Sequence, residues 1–214
     1  MYKSANQSGR SMIEMLGVLS IIGVLSVGGI AGFSKAMNSH KTNKCMEQIA
    51  TIIANTRSIG LRQHGSFKGL TTTSAVKLRV APEEMVKVVN KTTSLENVFG
   101  GEVKIGTSKA QHSNTKNTKE KDFSVEFYGL PRETCLEIMA KDWGGKRIGV
   151  LAAKDANTLS KASYFSSYEY SDTAECKTGT GLAFCVNKQM PLATANPACG
   201  CGKQSTCAVA VWLF

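Results

Sequence analysis

Two hydrophobic patterns follow each other in the first sixty residues. Met15–Phe33 comprises nineteen consecutive residues without a charge, and a helix rising ~1.5 Å per residue spans a hydrocarbon core of ~30 Å over such a length. In Ser34–Ile59 the apolar residues instead recur at three- and four-residue spacings, which predicts an amphipathic helix. These apolar residues are Met46, Ile49, Ile52 and Ile53. We expect one helix over 10–59, with an apolar half, 10–33, an amphipathic half, 34–59, and Gly60 as its stop.

Shorter elements are expected between the long helix and residue 122. Residues 60–81 are rich in Gly, Thr and Ser and predict a loop with a short helix near Ala75–Leu78. Ala81–Val89 places a proline and two acids in a first helical turn, which predicts another short helix. Val98–Ile105 has two glycines between β-prone runs and predicts a hairpin. The polar stretch Gln111–Asp122 predicts an exposed loop.

Strand patterns dominate the rest of the chain. Phe123–Tyr128 alternates apolar and polar residues, and Pro131 and Glu133 then begin a helix whose inner face carries Cys135, Leu136 and Met139. The remaining strand candidates are Ile148–Ala153, Ser163–Tyr170, Leu182–Val186 and Ala208–Phe214. This order of elements predicts an α+β fold, in which an antiparallel sheet packs as a roll on the second half of the long helix. Residues 60–214 form the globular domain of this prediction.

Charge and composition narrow the range of functions only a little. The 214 residues, 42% apolar and 20% charged, exclude wholesale disorder. A net charge of +10 permits contact with nucleic acid, anionic lipid or acidic surfaces. Lys116, Lys119 and Lys121 make the loop before residue 122 a candidate DNA contact. The three histidines, His40, His64 and His112, are not near a plausible nucleophile in sequence, so we expect no enzyme, no cofactor and no metal.

Three residues before the apolar run carry a specific signal. Gly9 and Arg10 lie shortly before Met15, and Glu14 lies in the first turn of the apolar half 10–33, where a carboxylate in lipid needs a partner or a function. This arrangement resembles the N-terminus of type IV prepilins, in which a short polar leader ends in Gly and the fifth mature residue is Glu. The first mature residue of that family is usually Phe or Met, whereas here it is Arg10.

The resemblance implies a processing and assembly pathway. Residues 1–9 would be a leader that prepilin peptidase removes after Gly9, and Arg10 would carry the N-methylated new terminus. Glu14 would pair with the N-terminus of a neighbouring subunit in the filament core; Arg10 adds a guanidinium at the same place, so the partner is the amine, the side chain or both. An acid snorkelling at the membrane edge is the alternative.

Five glycines interrupt the apolar half of the long helix. Gly28 and Gly32 form a small-xxx-small pair that lets another helix approach closely. The doublet Gly28-Gly29 also lowers helix propensity by about 1 kcal/mol per residue relative to alanine. Helix packing, local unwinding and the ordinary frequency of glycine in membrane helices all remain open.

Six of the seven cysteines fall in the last eighty residues. In an oxidising compartment they predict disulfides, and in the cytosol they would indicate metal binding. The passage Phe123–Cys135 and the last strand resemble the type IVb pilins, and this resemblance implies a bridge from Cys135 to a cysteine near that strand. Among the fifteen pairings that six cysteines permit, we choose Cys199 over Cys201 as its partner. Cys176 and Cys185 are nine residues apart and suit a local bridge, which leaves Cys201 with Cys207. Cys45 is then a buried thiol or an intermolecular link, and a Cys199–Cys201–Cys207 metal site is a further alternative.

The leading hypothesis is therefore a type IV pilus subunit that polymerises with itself. The precursor would sit in the inner membrane, with its globular domain outside the cytoplasm, and the assembly machinery of that membrane would move it into an extracellular filament. The alternatives are a minor pilin or a type II secretion pseudopilin, and, from another class, a bitopic ligand-binding membrane protein.

Overall fold

The computed structural model describes residues 10–89, 91–107, 122–143, 148–160, 175–201 and 206–213. Its first element, α1, is a continuous helix over Arg10–Arg62. The chain divides into two compact units, one up to Lys41 and the other from Thr42 onward; we call the second unit the head. The predicted leader, residues 1–9, lies outside the described residues.

α1 ends beyond Gly60, at a left-handed turn. The Gly65 N–H donates to the Gly60 carbonyl at 2.8 Å, and His64 and Gly65 have φ angles of 55° and 79°. This is the six-to-one hydrogen bond of a Schellman C-cap. Gly60 itself lies inside the helix, where a Cβ would overlap the Phe67 ring. The prediction that Gly60 stops the helix is wrong, because this glycine serves a close packing contact.

The predicted short helix near residues 75–78 is confirmed, but the one predicted over Ala81–Val89 is wrong. In its place a single 3₁₀ turn buries Met85 completely, and the valines that follow form an edge strand. The β-branched valines suit a pleated surface, and Val86 pairs with Leu95. The elements of this region are α2 (Thr72–Lys77), the 3₁₀ turn (Glu83–Met85), β1 (Val86–Val89), β2 (Thr92–Glu96) and β3 (Glu102–Thr107).

The β2–β3 hairpin is confirmed around its two glycines, although its first strand ends before Val98. The buried Asn97 organises the turn: its Oδ1 accepts from the Phe99 and Gly101 N–H groups at 2.9 and 3.2 Å, and its Nδ2 donates to the Tyr128 carbonyl at 2.7 Å. A Cβ at Gly101 would overlap that carbonyl. Glycine is therefore required there for the close approach of the hairpin to its neighbouring strand.

The described elements of the second half are β4 (Phe123–Leu130), α3 (Arg132–Ala140), β5 (Ile148–Ala153), α4 (Ala156–Ser160), β6 (Glu175–Gly179), β7 (Leu182–Val186), α5 (Leu192–Ala198) and β8 (Cys207–Leu213). Five of them, β4, α3, β5, β7 and β8, confirm predictions, whereas α4, β6 and α5 were not predicted. The strand predicted over Ser163–Tyr170 and residues 111–121 of the predicted loop lie outside the described residues.

The described strands form one antiparallel sheet in the order β1-β2-β3-β4-β8-β5-β7-β6. β8 is buried throughout and separates two clusters. Val209 and Val211 share a cluster with Ile49 and Ile52 of α1, whereas Trp212 lies in the second cluster with Phe184 and Leu159. Both faces of the central strand are therefore covered, and the predicted α+β fold of a long helix on an antiparallel sheet is confirmed.

Candidate functional site

The part of α1 that belongs to the first unit has an exposed apolar surface. The large apolar side chains between Met12 and Phe33 have exposed fractions of 49–76%, and residues 12–40 are all exposed. α1 is long and apolar enough to cross a membrane, by length and composition. Monomeric soluble proteins rarely expose a contiguous apolar surface of more than a few hundred Å². This surface therefore requires lipid or other apolar helices around it.

Glu14 is the acidic residue of this apolar surface. It is exposed and lies one helical turn after Arg10, the first residue of α1. Gly9 lies outside the described residues, and of Arg10 only the backbone is described. An unpaired carboxylate in an apolar environment is costly, so this position calls for a cationic partner once lipid or other helices surround it.

The glycines of the apolar half face open space. A Cβ built on Gly17, Gly23, Gly28, Gly29 or Gly32 meets no atom within 4 Å. α1 continues as a regular helix through Gly28–Gly32, so the structure contains the helical form of this segment. The missing side chains leave a shallow surface at which a second helix can approach closely.

From Thr42 onward α1 is part of the head and buries one stripe. Cys45, Ile49 and Ile52 are fully buried, whereas the predicted stripe residue Met46 is only partly buried. The stripe also contains polar residues, since the Thr42 and Thr134 hydroxyls lie 2.8 Å apart in a buried hydrogen bond to α3. The sequence pattern did not predict that these threonines are buried, because polar residues on a helix are usually exposed.

A polar cluster at the edge of this stripe joins α1 to the 3₁₀ turn. Glu84 Oε1 accepts from Lys44 Nζ at 3.1 Å and from Gln48 Nε2 at 3.3 Å, and Lys44 also lies 3.4 Å from Glu47. The hydrogen bond from Lys44, supported by that from Gln48, lowers the pKa of Glu84, and the bond to Glu84 raises the pKa of Lys44. Next to it, Asn55 Nδ2 donates to the Val80 carbonyl at 2.9 Å. These contacts connect α1 to the segment that precedes β1.

Three disulfides cross-link the C-terminal half of the head. Cys135 in α3 is bonded to Cys199 at the end of α5, with a Cα–Cα distance of 5.8 Å. The other two bonds are Cys176–Cys185 and Cys201–Cys207, with Cα–Cα distances of 4.1 and 5.2 Å. These are the pairs expected from the resemblance and the spacings. The alternative metal site at Cys199, Cys201 and Cys207 is wrong because all three sulfurs are in disulfides.

Cys45 is the free cysteine of the chain, and it is completely inside the head. Burial raises the pKa of its thiol to about 12, so the reactive thiolate is scarce at neutral pH. A fully buried and protonated thiol fits the prediction of a structural cysteine. It does not suit the alternative of an intermolecular disulfide.

The described residues contain no cluster of His, Cys, Asp and Glu that could hold a metal ion. His40 in α1 and His64 in the turn after α1 are both exposed. His112 and the candidate DNA-contact lysines Lys116, Lys119 and Lys121 lie outside the described ranges.

Comparison with known proteins relates this architecture to one family. A family model described as PilS N terminal matches residues 39–187. Among solved structures, a type IVb pilin from Salmonella typhi is similar over 80% of this chain and 98% of its own, with 12% identity and a TM-score of 0.48. No significant match was found among curated proteins.

Proposed function

Because this chain belongs to the PilS N-terminal family, a type IV pilin-related family, we propose that it is a structural subunit of a type IV pilus. The precursor resides in the inner membrane through α1 and is cut after Gly9 by prepilin peptidase. The mature subunit then polymerises through α1 into an extracellular filament. The single observation that carries the proposal is the exposed apolar surface of α1 with Glu14 near its start.

The energetics of α1 support a transfer from lipid to filament. In water, burying each large apolar side chain contributes about 1.5–3 kcal/mol, so the surface between Met12 and Phe33 cannot stay solvated. Lipid and a bundle of identical helices are almost equally apolar, and the transfer between them gains little from the hydrophobic effect. Close packing at Gly28 and Gly32, together with the pairing of Glu14, must therefore decide the register of the filament.

Glu14 supplies the selective interaction in this proposal. Cleavage after Gly9 creates an α-amine on Arg10, which becomes the N-methylated terminus, and a neighbouring subunit presents that amine to Glu14. A buried ion pair needs both partners, and removing one costs about 3–5 kcal/mol because an uncompensated charge remains. Wrong registers leave Glu14 unpaired in the filament core and are disfavoured for that reason.

The disulfides of the head support the proposed location. Three bonded pairs are typical of an oxidising compartment, such as the bacterial periplasm or the cell surface. With α1 in the inner membrane, the head lies on the side away from the cytoplasm. The assembly machinery of the inner membrane then extracts α1 from lipid and adds the subunit to the base of the filament.

The experiment compares Glu14→Gln with the matched control Glu137→Gln, which removes an exposed charge from α3. We expect Glu14→Gln to remain in carbonate-extracted membranes and to be cleaved, as judged by the mass of its N-terminal peptide, but to yield few sheared filaments by electron microscopy. The control should assemble as the wild type does. Normal filament yield from Glu14→Gln would contradict the pairing, and an uncleaved wild-type chain would contradict the processing step.

A further inference from the structure

A cavity of about 230 Å³ lies in the head at the C-terminal end of α3. Three segments line it, namely residues 141–143 after α3, Ile148 and Val150 of β5, and residues 187–189 after β7. The cavity is separate from the apolar surface of α1 and from the three disulfides. The proposed assembly through α1 therefore gives it no role.

Backbone hydrogen bonds hold the three segments together. The Asn187 N–H donates to the Ile148 carbonyl at 2.8 Å, and the Met190 N–H donates to the Met139 carbonyl at 3.3 Å. Asn187 has a φ angle of 52°, a left-handed conformation that asparagine adopts more readily than most residues. This turn leads the chain from the end of β7 to the end of α3. The walls of the cavity are therefore set by the backbone of the head.

Trp143 supplies a flat aromatic wall. Its indole N–H donates to the Ile138 carbonyl at 3.0 Å, which is one of the last four carbonyls of α3 and has no partner within the helix. The polar atom of the ring is thus satisfied, and the ring offers apolar surface to the cavity. Ile148 and Val150, with exposed fractions of 7% and 4%, add to the apolar part of the lining.

The other lining residues are polar, and their charge is positive. Lys141 Nζ lies 4.8 Å from the centroid of the Trp143 ring, and the exposed Lys188 approaches from the segment after β7. Two lysines and one carboxylate, that of Asp142, give the lining a formal charge of +1. Gln189 adds an amide, which both donates and accepts hydrogen bonds. A ligand that fits this lining carries a negative charge, hydrogen-bonding groups and one apolar face.

We propose that the cavity binds one ring of an acidic sugar, a hexuronate. Its volume is below the range of about 300–1,000 Å³ that is typical of drug-sized ligands, so it admits a single ring. The less polar face of the ring packs on Trp143, and the carboxylate forms charge-assisted hydrogen bonds with Lys141 and Lys188. The hydroxyl groups hydrogen-bond to Gln189. The site lies in the head alone, so this inference does not rest on the assembly of the chain into a filament.

The test is an NMR titration of the ¹⁵N-labelled full chain in detergent micelles, read at the indole N–H signals of the two tryptophans. Trp143 lines the cavity, whereas Trp212 is 3% exposed and belongs to the second apolar cluster. A Trp143→Phe variant assigns the two signals. Glucuronate should shift the Trp143 signal to saturation, with a Kd on the order of 1 mM for a ligand of this size. The Trp212 signal should not move.

Two further ligands separate the parts of the recognition on the wild-type chain. Glucose has the ring without the carboxylate, and its binding should be weaker by on the order of tenfold or more, because the lysines then lack an anionic partner. Acetate has the carboxylate without the ring and should give no saturable shift of the Trp143 signal.

Lysine variants locate the site. Lys141→Gln and Lys188→Gln should each weaken glucuronate binding on the order of tenfold. The matched control is Lys87→Gln, which removes an exposed lysine from β1 at one edge of the described sheet, several strands away from β5 and β7. This control should bind glucuronate as the wild type does. Circular dichroism checks that each variant is folded.

Four results would overturn the proposal. The first is the lack of a saturable Trp143 shift at about 50 mM glucuronate, a concentration far above the expected Kd. The second is an equal response to acetate, which would mean nonspecific pairing of anions with lysines. The third is equal affinity for glucose, which would mean that the positive lining selects nothing. The fourth is an equal loss of affinity in Lys87→Gln, which would reduce the effect to the net charge of the chain.

Discussion

Removing the disulfide between α3 and α5 should destabilise the head more than removing the bond next to β8. Cys135–Cys199 spans a sequence separation of 64, and Cys201–Cys207 one of 6. In the chain-entropy treatment the stabilisation grows with the logarithm of the loop, which gives ~4.3 and ~2.2 kcal/mol at 25 °C. Cys135 and Cys199 are both fully buried, so truncation to alanine also leaves a cavity and adds to the larger value.

The measurement is guanidinium unfolding of three full-length chains in the same detergent: the wild type, Cys135→Ala/Cys199→Ala and Cys201→Ala/Cys207→Ala. Both tryptophans of the chain, Trp143 and Trp212, belong to the head, so their fluorescence follows the unfolding of the head. We expect the free energy of unfolding to fall by about 4 kcal/mol or more in the first variant and by about 2 kcal/mol in the second.

The decisive result is which of the two variants loses more free energy of unfolding. Detergent, buffer and the unfolded baseline are common to both, and errors in the absolute free energies largely cancel in the comparison. If the Cys201–Cys207 variant loses as much stability as the Cys135–Cys199 variant, loop closure is not what these bonds contribute. The stability of the head would then come from the local conformation at the start of β8, and not from the bond that joins α3 to α5.

Two further predictions test the separate roles of the two parts of α1 and the role of the polar cluster around Glu84. Ile52→Ala should lower the unfolding free energy of the head by about 2–5 kcal/mol, because Ile52 is fully buried. Leu19→Ala should leave the unfolding free energy of the head unchanged and should reduce the filament yield seen by electron microscopy. A head destabilised by Leu19→Ala would contradict these separate roles. In thermal unfolding from pH 3 to 11, the wild type should exceed Lys44→Gln in stability only in a middle window. Because the pKa of Glu84 is lowered, its contribution to stability is lost as the pH falls below the ordinary value of 4.5. Because the pKa of Lys44 is raised, its contribution to stability is lost as the pH rises above the ordinary value of 10.5. A stability difference between wild type and variant that does not depend on pH would exclude the ion pair as its cause.

Sequence patterns predicted the elements whose stability comes from apolar burial. The spacing of Ile49 and Ile52 predicted the buried stripe of α1, and the apolar last strand predicted β8 at a fully buried position. These patterns are strong because burial selects the same residue types along the whole length of an element. The disulfide pairs were predicted on a different basis, from a resemblance and from short spacings.

The sequence patterns did not predict the elements that are stabilised by interactions other than apolar burial. β6 has no apolar alternation that a sequence pattern could reveal, because Lys177, Thr178 and Gly179 are exposed. α5 was hidden by Pro197, which lies within it and normally argues against a helix. At Ala81–Val89 the local signal of Pro82 and two acids favoured a helix, yet the sheet offered the valines a strand partner. Tertiary pairing outweighed local propensity there.

The position of β8 also has a kinetic consequence. Within the described sheet, β8 lies between β4 and β5 and is the strand that joins the two halves of the ladder. Sequence-distant pairings of this kind raise contact order and slow folding. The hairpins can form while the chain is being made, but the sheet of the head cannot close until Cys207–Leu213 has been synthesised. Until that moment β4 and β5 each present an unpaired edge, and unpaired strand edges of this kind are where chains aggregate.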